Sequence, residues 1–253
     1  MSLRHFTTQW GPTQPVHALI PHQPGGHFDR STTIEDHARH ALSTIRHRQP
    51  DGPLALVGYS LGGLVAYEIA RQAADAGQHV HYLAVLDAVA PPMHDLERAR
   101  LTLRWQLHRL HQLPTRQRLA KYAHVAHRIL RGGPRALWPQ EDFDYRGATH
   151  IACRYQQPGH QVPMHLFVSE STATAAEQDL LGWNEFHQGP LTAHHLPGNH
   201  DDMLQPPNTQ QLATTIHQTL TKTTQPTPPQ PTPTTPPPHL PKTTESIGSA
   251  GPT

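Results

Sequence analysis

Residues 54–70 read LALVGYSLGGLVAYEIA, and this stretch decides the fold. Its first part, Leu54 to Tyr59, is a short apolar run of the kind that forms a buried β-strand. From Leu61 to Ala76 the apolar side chains recur at helical spacing instead, and Gly77 is a typical helix stop. The stretch therefore predicts a strand, a tight turn at Ser60 and a helix.

The same alternation extends in both directions along the chain. Four further short apolar runs predict strands: Val16 to Ile20, Val80 to Leu86, Val162 to Val168 and Leu191 to Leu196. Before Leu54, Thr32 and Glu35 form a capping-box pattern, and the apolar side chains that follow at helical spacing predict a helix. Strands and helices in alternation predict an α/β fold with a mostly parallel sheet, helices on both faces, and functional loops at the carboxyl ends of the strands.

The composition indicates one folded domain followed by a tail. Of the 253 residues, 35% are apolar and 15% are charged, and the formal net charge is +1, which excludes collagen-like and strongly charged disordered chains. The near-zero charge also gives no argument for nucleic-acid binding. Residues 221–253 hold 10 of the 27 prolines and 10 threonines. We predict a folded domain over residues 1–220 and a disordered, solvated tail after it.

Cysteine usage and hydropathy bear on the compartment. The single cysteine, Cys153, excludes an internal disulfide framework and is consistent with a reducing compartment. The chain starts without an apolar run of signal-peptide length, and no stretch approaches the roughly 18 to 20 apolar residues of a membrane span. We therefore expect a cytoplasmic protein without a membrane segment.

The alternation of strands and helices is interrupted from about residue 92 to residue 147. Two helical patterns lie there, which predicts a helical lid inserted into the α/β domain. Between His94 and Arg135 the ten lysines and arginines outnumber the two acidic residues, Asp95 and Glu97, by eight. This excess could attract an acidic partner, or it could be the solvated face of an exposed helix.

Gly58-Tyr59-Ser60-Leu61-Gly62 has the GxSxG pattern of a nucleophile elbow. Alone the pattern is only modestly specific, because it also occurs in ordinary glycine turns. Here a strand is predicted before it and a helix after it, as an elbow requires. The glycines permit a turn that exposes the Ser60 hydroxyl at the end of the strand, and the positive end of the helix points at it. We predict that Ser60 is a nucleophile.

A serine nucleophile needs a base, and the position of His200 in the sequence makes it the first candidate. It lies in Gly198-Asn199-His200-Asp201-Asp202, just after the last predicted strand and before the last helix. A loop at that place would open into the same crevice as the elbow. His194 and His195 are the alternatives, but they lie within the predicted strand, where side chains point into packing or solvent.

The base in turn needs an orienting acid, and Asp87 is the first choice. It ends the strand Val80 to Leu86, which follows the Ser60 strand and its helix, so its side chain should emerge into the same crevice. Two alternatives stay open. Asp87 could simply cap the turn before Pro91, or the acid could follow a later strand, where Glu170 and Asp179 are available.

Metal and cysteine chemistry are less favoured by the pattern. Three histidine pairs have a helical spacing that two zinc ligands could share: His37/His40, His108/His111 and His124/His127. None has a third ligand at readable spacing. Cys153 has neither an elbow nor an adjacent histidine. We therefore predict no metal site, no cofactor of the protein's own and no cysteine nucleophile.

Several segments together resemble the thioesterase domains that end nonribosomal peptide synthetase and polyketide synthase lines. In chain order they are VHAL, GPLALVGYSLGGLVAYEIA, LDAVAPP, LGW and HHLPGNHDDML, and they cover roughly residues 16–220 except for much of the lid. The resemblance implies an α/β-hydrolase fold. It also places the acid after the strand that follows the nucleophile helix, where this chain has Asp87.

The resemblance implies a reaction and a partner. Ser60 would attack the thioester of an acyl or peptidyl chain carried on the phosphopantetheine arm of a carrier domain, while His200 shuttles the proton and Asp87 holds the imidazole. The backbone amide of Leu61 would be one oxyanion donor. Water or an internal nucleophile would then release the acyl chain, as an acid or as a ring, in secondary-metabolite biosynthesis.

One part of the family pattern has no counterpart here. In the family a further strand and a glycine-containing loop lie upstream of the VHAL segment and carry the second oxyanion donor. Only 15 residues precede Val16, and none before Gly11 is glycine. Losing one such donor typically costs about 2.7 to 4 kcal/mol of transition-state stabilisation. We expect the chain to be a fragment of an active enzyme or a relative with a degraded site.

Two other functions remain open at this point. The first is an esterase that acts on free small esters with the same three residues. The second is an inactive relative that binds a carrier domain without turnover.

Overall fold

A computed structural model describes residues 4–10, 14–20, 31–91, 145–176 and 179–224, and the single positions 104, 127, 130 and 131. In chain order the elements are α1 (Arg4–Thr7), α2 (Ile34–Arg48), β1 (Leu54–Tyr59), α3 (Leu61–Asp75), β2 (Val80–Leu86), α4 (Tyr145–Cys153), β3 (Met164–Ser169), α5 (Glu170–Ala176), α6 (Trp183–Phe186), β4 (Leu191–Leu196) and α7 (Asn208–Thr224). Most of the predicted lid and residues 225–253 of the predicted tail lie outside these ranges.

The four strands form one sheet in the order β1-β2-β3-β4, and every neighbouring pair is parallel. Strand β1 runs beside β2, with Tyr59 opposite Leu86. Farther along, β4 lies beside β3, with Leu196 opposite Ser169. Parallel strands put their carboxyl ends at one edge, so the residues after β1, β2, β3 and β4 meet there. The predicted α/β fold with a parallel sheet is confirmed.

The central strands β2 and β3 are buried on both faces, which explains their nearly continuous apolar sequences, whereas β1 alternates between buried and exposed residues. On one face, Leu83 of β2 packs with Ile34 of α2, Tyr67 of α3 and side chains of α4. On the other face, Phe167 of β3 packs with Ile216 of α7 and side chains of α1. The helices therefore cover both sides of the sheet and hold its carboxyl edge rigid.

The predicted strand from Val16 to Ile20 is wrong. These residues have no regular secondary structure, and Val16, Leu19 and Ile20 are 39%, 43% and 81% exposed. A strand exists only through hydrogen bonds to a neighbour, and the described sheet ends at β1 without reaching this segment. The apolar composition that indicated a strand is therefore insufficient at this position.

Two helix boundaries differ from the predicted ones. The capping box of α2 is formed by Thr33 and Asp36 rather than by Thr32 and Glu35: the Asp36 N–H donates to Thr33 Oγ1 (3.2 Å), and the Thr33 N–H donates to Asp36 Oδ2 (3.1 Å). Both pairs have the same spacing, so the sequence pattern alone does not separate them. At the other end of the chain, α7 continues to Thr224, past the predicted domain boundary at residue 220.

A buried histidine makes the stability of this fold depend on pH. His160 stacks on Tyr67 with ring centroids 4.0 Å apart; its Nδ1 accepts from the Val162 N–H (3.2 Å) and its Nε2 donates to the Tyr67 carbonyl (3.1 Å). Burial lowers the pKa of His160 from 6.5 to about 4. The unfolded chain therefore binds more protons than the folded chain between pH 6.5 and 4, so acidification favours unfolding.

We expect His160 to cost up to about 3 kcal/mol of unfolding free energy as the pH falls from 6.5 to 4. Urea unfolding of the His160→Asn variant should show a correspondingly shallower loss of stability over this range. The exposed His150 of α4 provides the control, because His150→Asn should leave the pH dependence unchanged. Equal pH profiles for wild type and His160→Asn would contradict the assignment.

Candidate active site

Ser60 lies on a strained turn between β1 and α3. Its backbone has φ 55° and ψ −125°, a left-handed conformation that is uncommon for a residue with a side chain. The sheet ladder fixes this turn, because the Ser60 N–H donates to the Leu86 carbonyl (2.8 Å). The turn thus holds the Ser60 side chain at the carboxyl edge of the sheet, at the start of α3.

Two glycines of the elbow are required by close contacts, and the third is not. A Cβ atom on Gly58 would lie 2.1 Å from the Gly62 carbonyl oxygen, and one on Gly63 would lie 2.9 Å from Ala88 Cβ. A Cβ atom on Gly62 meets no described atom within 4 Å. Glycine is therefore required at positions 58 and 63, where α3 packs against β1 and β2. It is not required by packing at position 62.

The two glycines should respond differently to alanine. In Gly58→Ala the added methyl group has to displace the backbone of the first helical turn, and we expect a loss of about 3 kcal/mol or more, or no folded protein. In Gly62→Ala the methyl group has space and alanine favours a helix, so stability should be unchanged or up to about 1 kcal/mol higher. Denaturant unfolding of the two variants makes the comparison, and similar losses in both would contradict the account.

Asp87 directly follows β2 and is held by the neighbouring strand. Its N–H donates to the Phe167 carbonyl (2.7 Å), and its side chain is fully buried. Oδ1 accepts from the Ser169 N–H (2.8 Å), and Oδ2 accepts from the Thr172 hydroxyl (2.7 Å) and lies 2.9 Å from the Ser169 hydroxyl. Every one of these partners can donate, as a buried carboxylate requires.

His200 lies in the loop between β4 and α7 and contacts both other candidates. Its Nδ1 is 2.9 Å from Asp87 Oδ2, and its Nε2 is 3.1 Å from Ser60 Oγ. A carboxylate oxygen accepts, so the proton is assigned to Nδ1, and Nε2 is then free to accept from the Ser60 hydroxyl. The imidazole is 22% exposed, which leaves one side of the site accessible to a reactant. The structure thus joins Ser60, His200 and Asp87 in one hydrogen-bonded chain.

The alternative residues lie elsewhere. Glu170 and Asp179 are exposed, whereas the acid that His200 Nδ1 contacts is the buried Asp87. His194 is 3.0 Å from His165 Nδ1 within the sheet, and His195 is exposed on β4. The structure therefore brings together the first-choice residues and separates the alternatives from them.

Ser169 and Thr172 are contacts of the site that the sequence analysis missed. They come from the end of β3 and the start of α5, whereas Asp87 comes from the end of β2. No motif links residues 82 and 85 positions apart in the chain. The available signal was topological: parallel neighbours β2 and β3 end together, so polar residues after β3 were candidates for contact with Asp87.

Removing one donor from the buried Asp87 carboxylate should destabilise the fold. Thr172→Val keeps the shape of the side chain and loses the hydroxyl, so we expect the free energy of unfolding to fall by about 1.5–3 kcal/mol. Thr174, on the same helix, is exposed, and its hydroxyl donates to the Glu170 carbonyl (2.8 Å), so Thr174→Val should change stability by less than about 0.5 kcal/mol. Equal effects of the two variants in urea unfolding would refute this role of Thr172.

The N-terminus of α3 directly follows Ser60, and the N–H of Leu61 at this end is the predicted oxyanion donor. Leu61 is the first residue of this helix, and the first N–H groups of a helix have no acceptor inside it. The aligned peptide dipoles also make this end positive, and the first turn contains no acidic residue. Negative charge that develops next to Ser60 would therefore be favoured here.

Other chemistry finds little support in the described part of the chain. The described residues contain no group of three histidine, cysteine or acidic side chains that could hold a metal ion. Of the histidine pairs considered from the sequence, only His37/His40 falls wholly inside the described ranges. Cys153 is half-buried at the end of α4.

Among the described helices, none combines the length and the hydropathy of a membrane-crossing segment.

Comparison with known proteins identifies the family. A family model described as thioesterase domain matches residues 4–220. The vanchrobactin synthetase VabF of Vibrio anguillarum is 28% identical over 222 residues, which cover 81% of this chain and 7% of that protein. The chondramide synthase cmdD of Chondromyces crocatus is 25% identical over 239 residues, which cover 83% of this chain and 6% of that protein. The chain thus spans less than a tenth of the length of these relatives.

Solved structures show the same fold. A four-domain nonribosomal peptide synthetase bound to AMP and glycine superposes with a TM-score of 0.51 at 24% identity, over 74% of this chain and 16% of that one. The thioesterase domain of NocB, in covalent complex with a fluorophosphonate nocardicin G analogue, gives a TM-score of 0.48 at 20% identity, over 75% of each chain. The family match over residues 4–220 shows that the chain belongs to the thioesterase domain family, a family of hydrolases that act on thioesters, and the synthetases relate it to the thioesterases of peptide and polyketide synthases.

Proposed function

We propose that this chain releases an acyl or peptidyl chain from the phosphopantetheine arm of a carrier domain, through an acyl-enzyme on Ser60. The observation that carries the proposal is the continuous hydrogen-bonded chain from Ser60 Oγ to His200 Nε2 (3.1 Å) and from His200 Nδ1 to Asp87 Oδ2 (2.9 Å). A serine, an imidazole and a carboxylate in this order are the parts of a nucleophile that is activated by a general base.

In the first half of the reaction, Ser60 Oγ attacks the thioester carbonyl carbon while His200 Nε2 takes the hydroxyl proton. The carbonyl oxygen becomes negative in the tetrahedral intermediate, and the N–H of Leu61 lies at the helix end that favours this charge. The carbon–sulfur bond then breaks, and His200 returns the proton to the sulfur, so that the arm leaves as a free thiol. The acyl chain remains on Ser60 as an ester.

In the second half, water or a nucleophile within the acyl chain attacks the ester. His200 Nε2 takes the proton of the attacking group and gives it to Ser60 Oγ as the ester bond breaks, which restores the serine. The product is an acid after hydrolysis or a ring after internal attack. Asp87 keeps the imidazole proton on Nδ1 in both halves and stabilises the imidazolium that forms between proton transfers.

The carrier domain is the proposed partner because the relatives are synthetases many times longer than this chain. The acyl group would reach Ser60 on a flexible arm, so the protein itself needs no bound cofactor. The basic segment between His94 and Arg135, with ten lysines and arginines, would attract an acidic carrier surface, although most of this segment lies outside the described residues.

A matched pair of substrates tests this proposal against a simple esterase. The same acyl group is offered as a carrier-bound thioester and as a p-nitrophenyl ester, with Ser60→Ala protein as the background control. We expect kcat/KM to be at least about 10-fold higher for the carrier-bound thioester, since only that substrate gains from carrier docking. A preference for the free ester would support the esterase instead, and carrier binding without any turnover would indicate an inactive relative.

A further inference from the structure

Tyr59, the residue before Ser60, contacts the imidazole and the backbone of His200 at the same time. The two rings are stacked, with centroids 4.7 Å apart and an interplanar angle of 27°. The phenol hydroxyl donates to the His200 carbonyl oxygen over 2.6 Å. Tyr59 is the last residue of β1, so these contacts attach the His200 loop to the same strand that carries the nucleophile.

The two contacts restrict motions that the hydrogen bond from His200 to Asp87 alone would leave free. The hydrogen bond from Nδ1 to Asp87 fixes one ring atom, but the imidazole can still tilt about that bond. Such a tilt moves Nε2 away from Ser60 Oγ, which lies 3.1 Å from it. A ring stacked on one face of the imidazole blocks the tilt towards that face, and the phenol hydroxyl prevents the loop backbone from shifting. Displacement of a reacting group by about 1 Å can cost about 100-fold in rate.

We infer that Tyr59 is a positioning residue of the reaction, which holds the His200 imidazole in the orientation that accepts the proton of Ser60. This inference rests on the proposed function, because it assumes that His200 is the base. The negative face of the phenol ring also favours the positively charged imidazole that exists between the two proton transfers. Tyr59 touches neither bond that is made or broken, so its contribution passes through His200.

The test uses the full chain and a fluorophosphonate, with separate measurement of the maximal labelling rate and of the concentration that gives half of it. In this reaction Ser60 Oγ attacks phosphorus, fluoride leaves and His200 takes the proton. Tyr59→Phe removes only the hydroxyl, and Tyr59→Leu removes the ring as well. Tyr82 provides the matched control, because it stacks on His165 (5.0 Å) and its hydroxyl bonds Thr219 (2.7 Å) away from these residues.

We expect the maximal labelling rate to fall about 2- to 10-fold in Tyr59→Phe and about 10- to 100-fold in Tyr59→Leu. The half-saturating concentration should stay within about 2-fold of wild type, because positioning changes the chemical step and not probe binding. Tyr82→Phe and Tyr82→Leu should label at the wild-type maximal rate even where their melting temperatures fall.

Wild-type maximal rates in both Tyr59 variants would overturn the inference, and so would a change confined to the half-saturating concentration. If Tyr59→Leu does not fold, Tyr59→Phe decides alone, and an unchanged rate in that variant overturns the inference. Failure of the wild-type protein to be labelled at all is a different outcome. It overturns the proposed function, and the role of Tyr59 with it.

Discussion

Replacing Ser60 with alanine should abolish covalent labelling by a fluorophosphonate and should lower kcat for a carrier-bound thioester by about 10⁴- to 10⁶-fold. The loss is this large because alanine removes the only atom that can form the acyl-enzyme, so the two-step route disappears. The fold should be unaffected, since the strained turn is fixed by the backbone hydrogen bond from Ser60 to Leu86 and by the glycine contact of Gly58 with the first turn of α3. Mass spectrometry of the labelled protein and steady-state kinetics measure the two effects.

A neighbouring serine controls for non-specific labelling. Ser171 of α5 is buried, and its hydroxyl has no hydrogen-bond partner among the described atoms, so Ser171→Ala should retain labelling and activity. Labelling that persists in Ser60→Ala would show that another residue is the nucleophile.

The second large effect is expected for Asp87→Asn, which should lower kcat by about 10⁴-fold. The carboxylate accepts the Nδ1 proton of His200, and this leaves Nε2 as the acceptor that faces Ser60. An amide at this position can turn its NH₂ group towards Nδ1 and so favour the wrong imidazole tautomer. Donors from Ser169 and Thr172 also surround the carboxylate, so the variant should melt at a lower temperature than wild type.

The competing acids give the controls for Asp87. Glu170→Gln and Asp179→Asn each remove one negative charge, as Asp87→Asn does, but the carboxylates that they remove are exposed. We expect both to retain kcat within about 3-fold at 25 °C, where all three variants are compared after their folding has been checked by circular dichroism. If either variant lost most of its kcat while Asp87→Asn stayed active, the acid that orients His200 would be a residue that follows β3.

The parts of the fold that follow from local patterns were predictable to within about two residues. The strand predicted from Val162 to Val168, for example, spans Met164–Ser169. Leu54–Tyr59, Val80–Leu86 and Leu191–Leu196 are strands with the predicted bounds, because each is a short run with apolar side chains between turn residues. The helix after Ser60 ends at Asp75, one residue before the predicted end, where Gly77 stops it. The bounds of these strands and helices depend on hydrophobic periodicity and on turn residues, and both can be read from a few neighbouring positions of the sequence.

The convergence of Ser60, Asp87 and His200 was predictable from their positions after strands, but other contacts between distant parts of the chain were not. Val16–Ile20 has the composition of a strand and has no regular structure, since composition does not say whether a partner strand is present. Ser169 and Thr172 reach Asp87 only because β2 and β3 end side by side. The stacking of Tyr59 on His200 likewise joins residues 141 positions apart, and nothing in the local sequence of either one indicates it.

If the acyl chain passes from a thioester to an ester on Ser60, that ester can be trapped during the reaction. The chain is mixed with a stoichiometric amount of acyl thioester on its carrier, the reaction is quenched within milliseconds, and the protein is analysed by mass spectrometry. The account predicts a mass increase equal to the acyl group, located on the Ser60 peptide, together with one free carrier thiol for each ester formed. Release of the thiol with no acyl group on Ser60, or an acyl group found on another residue such as Cys153, would contradict it.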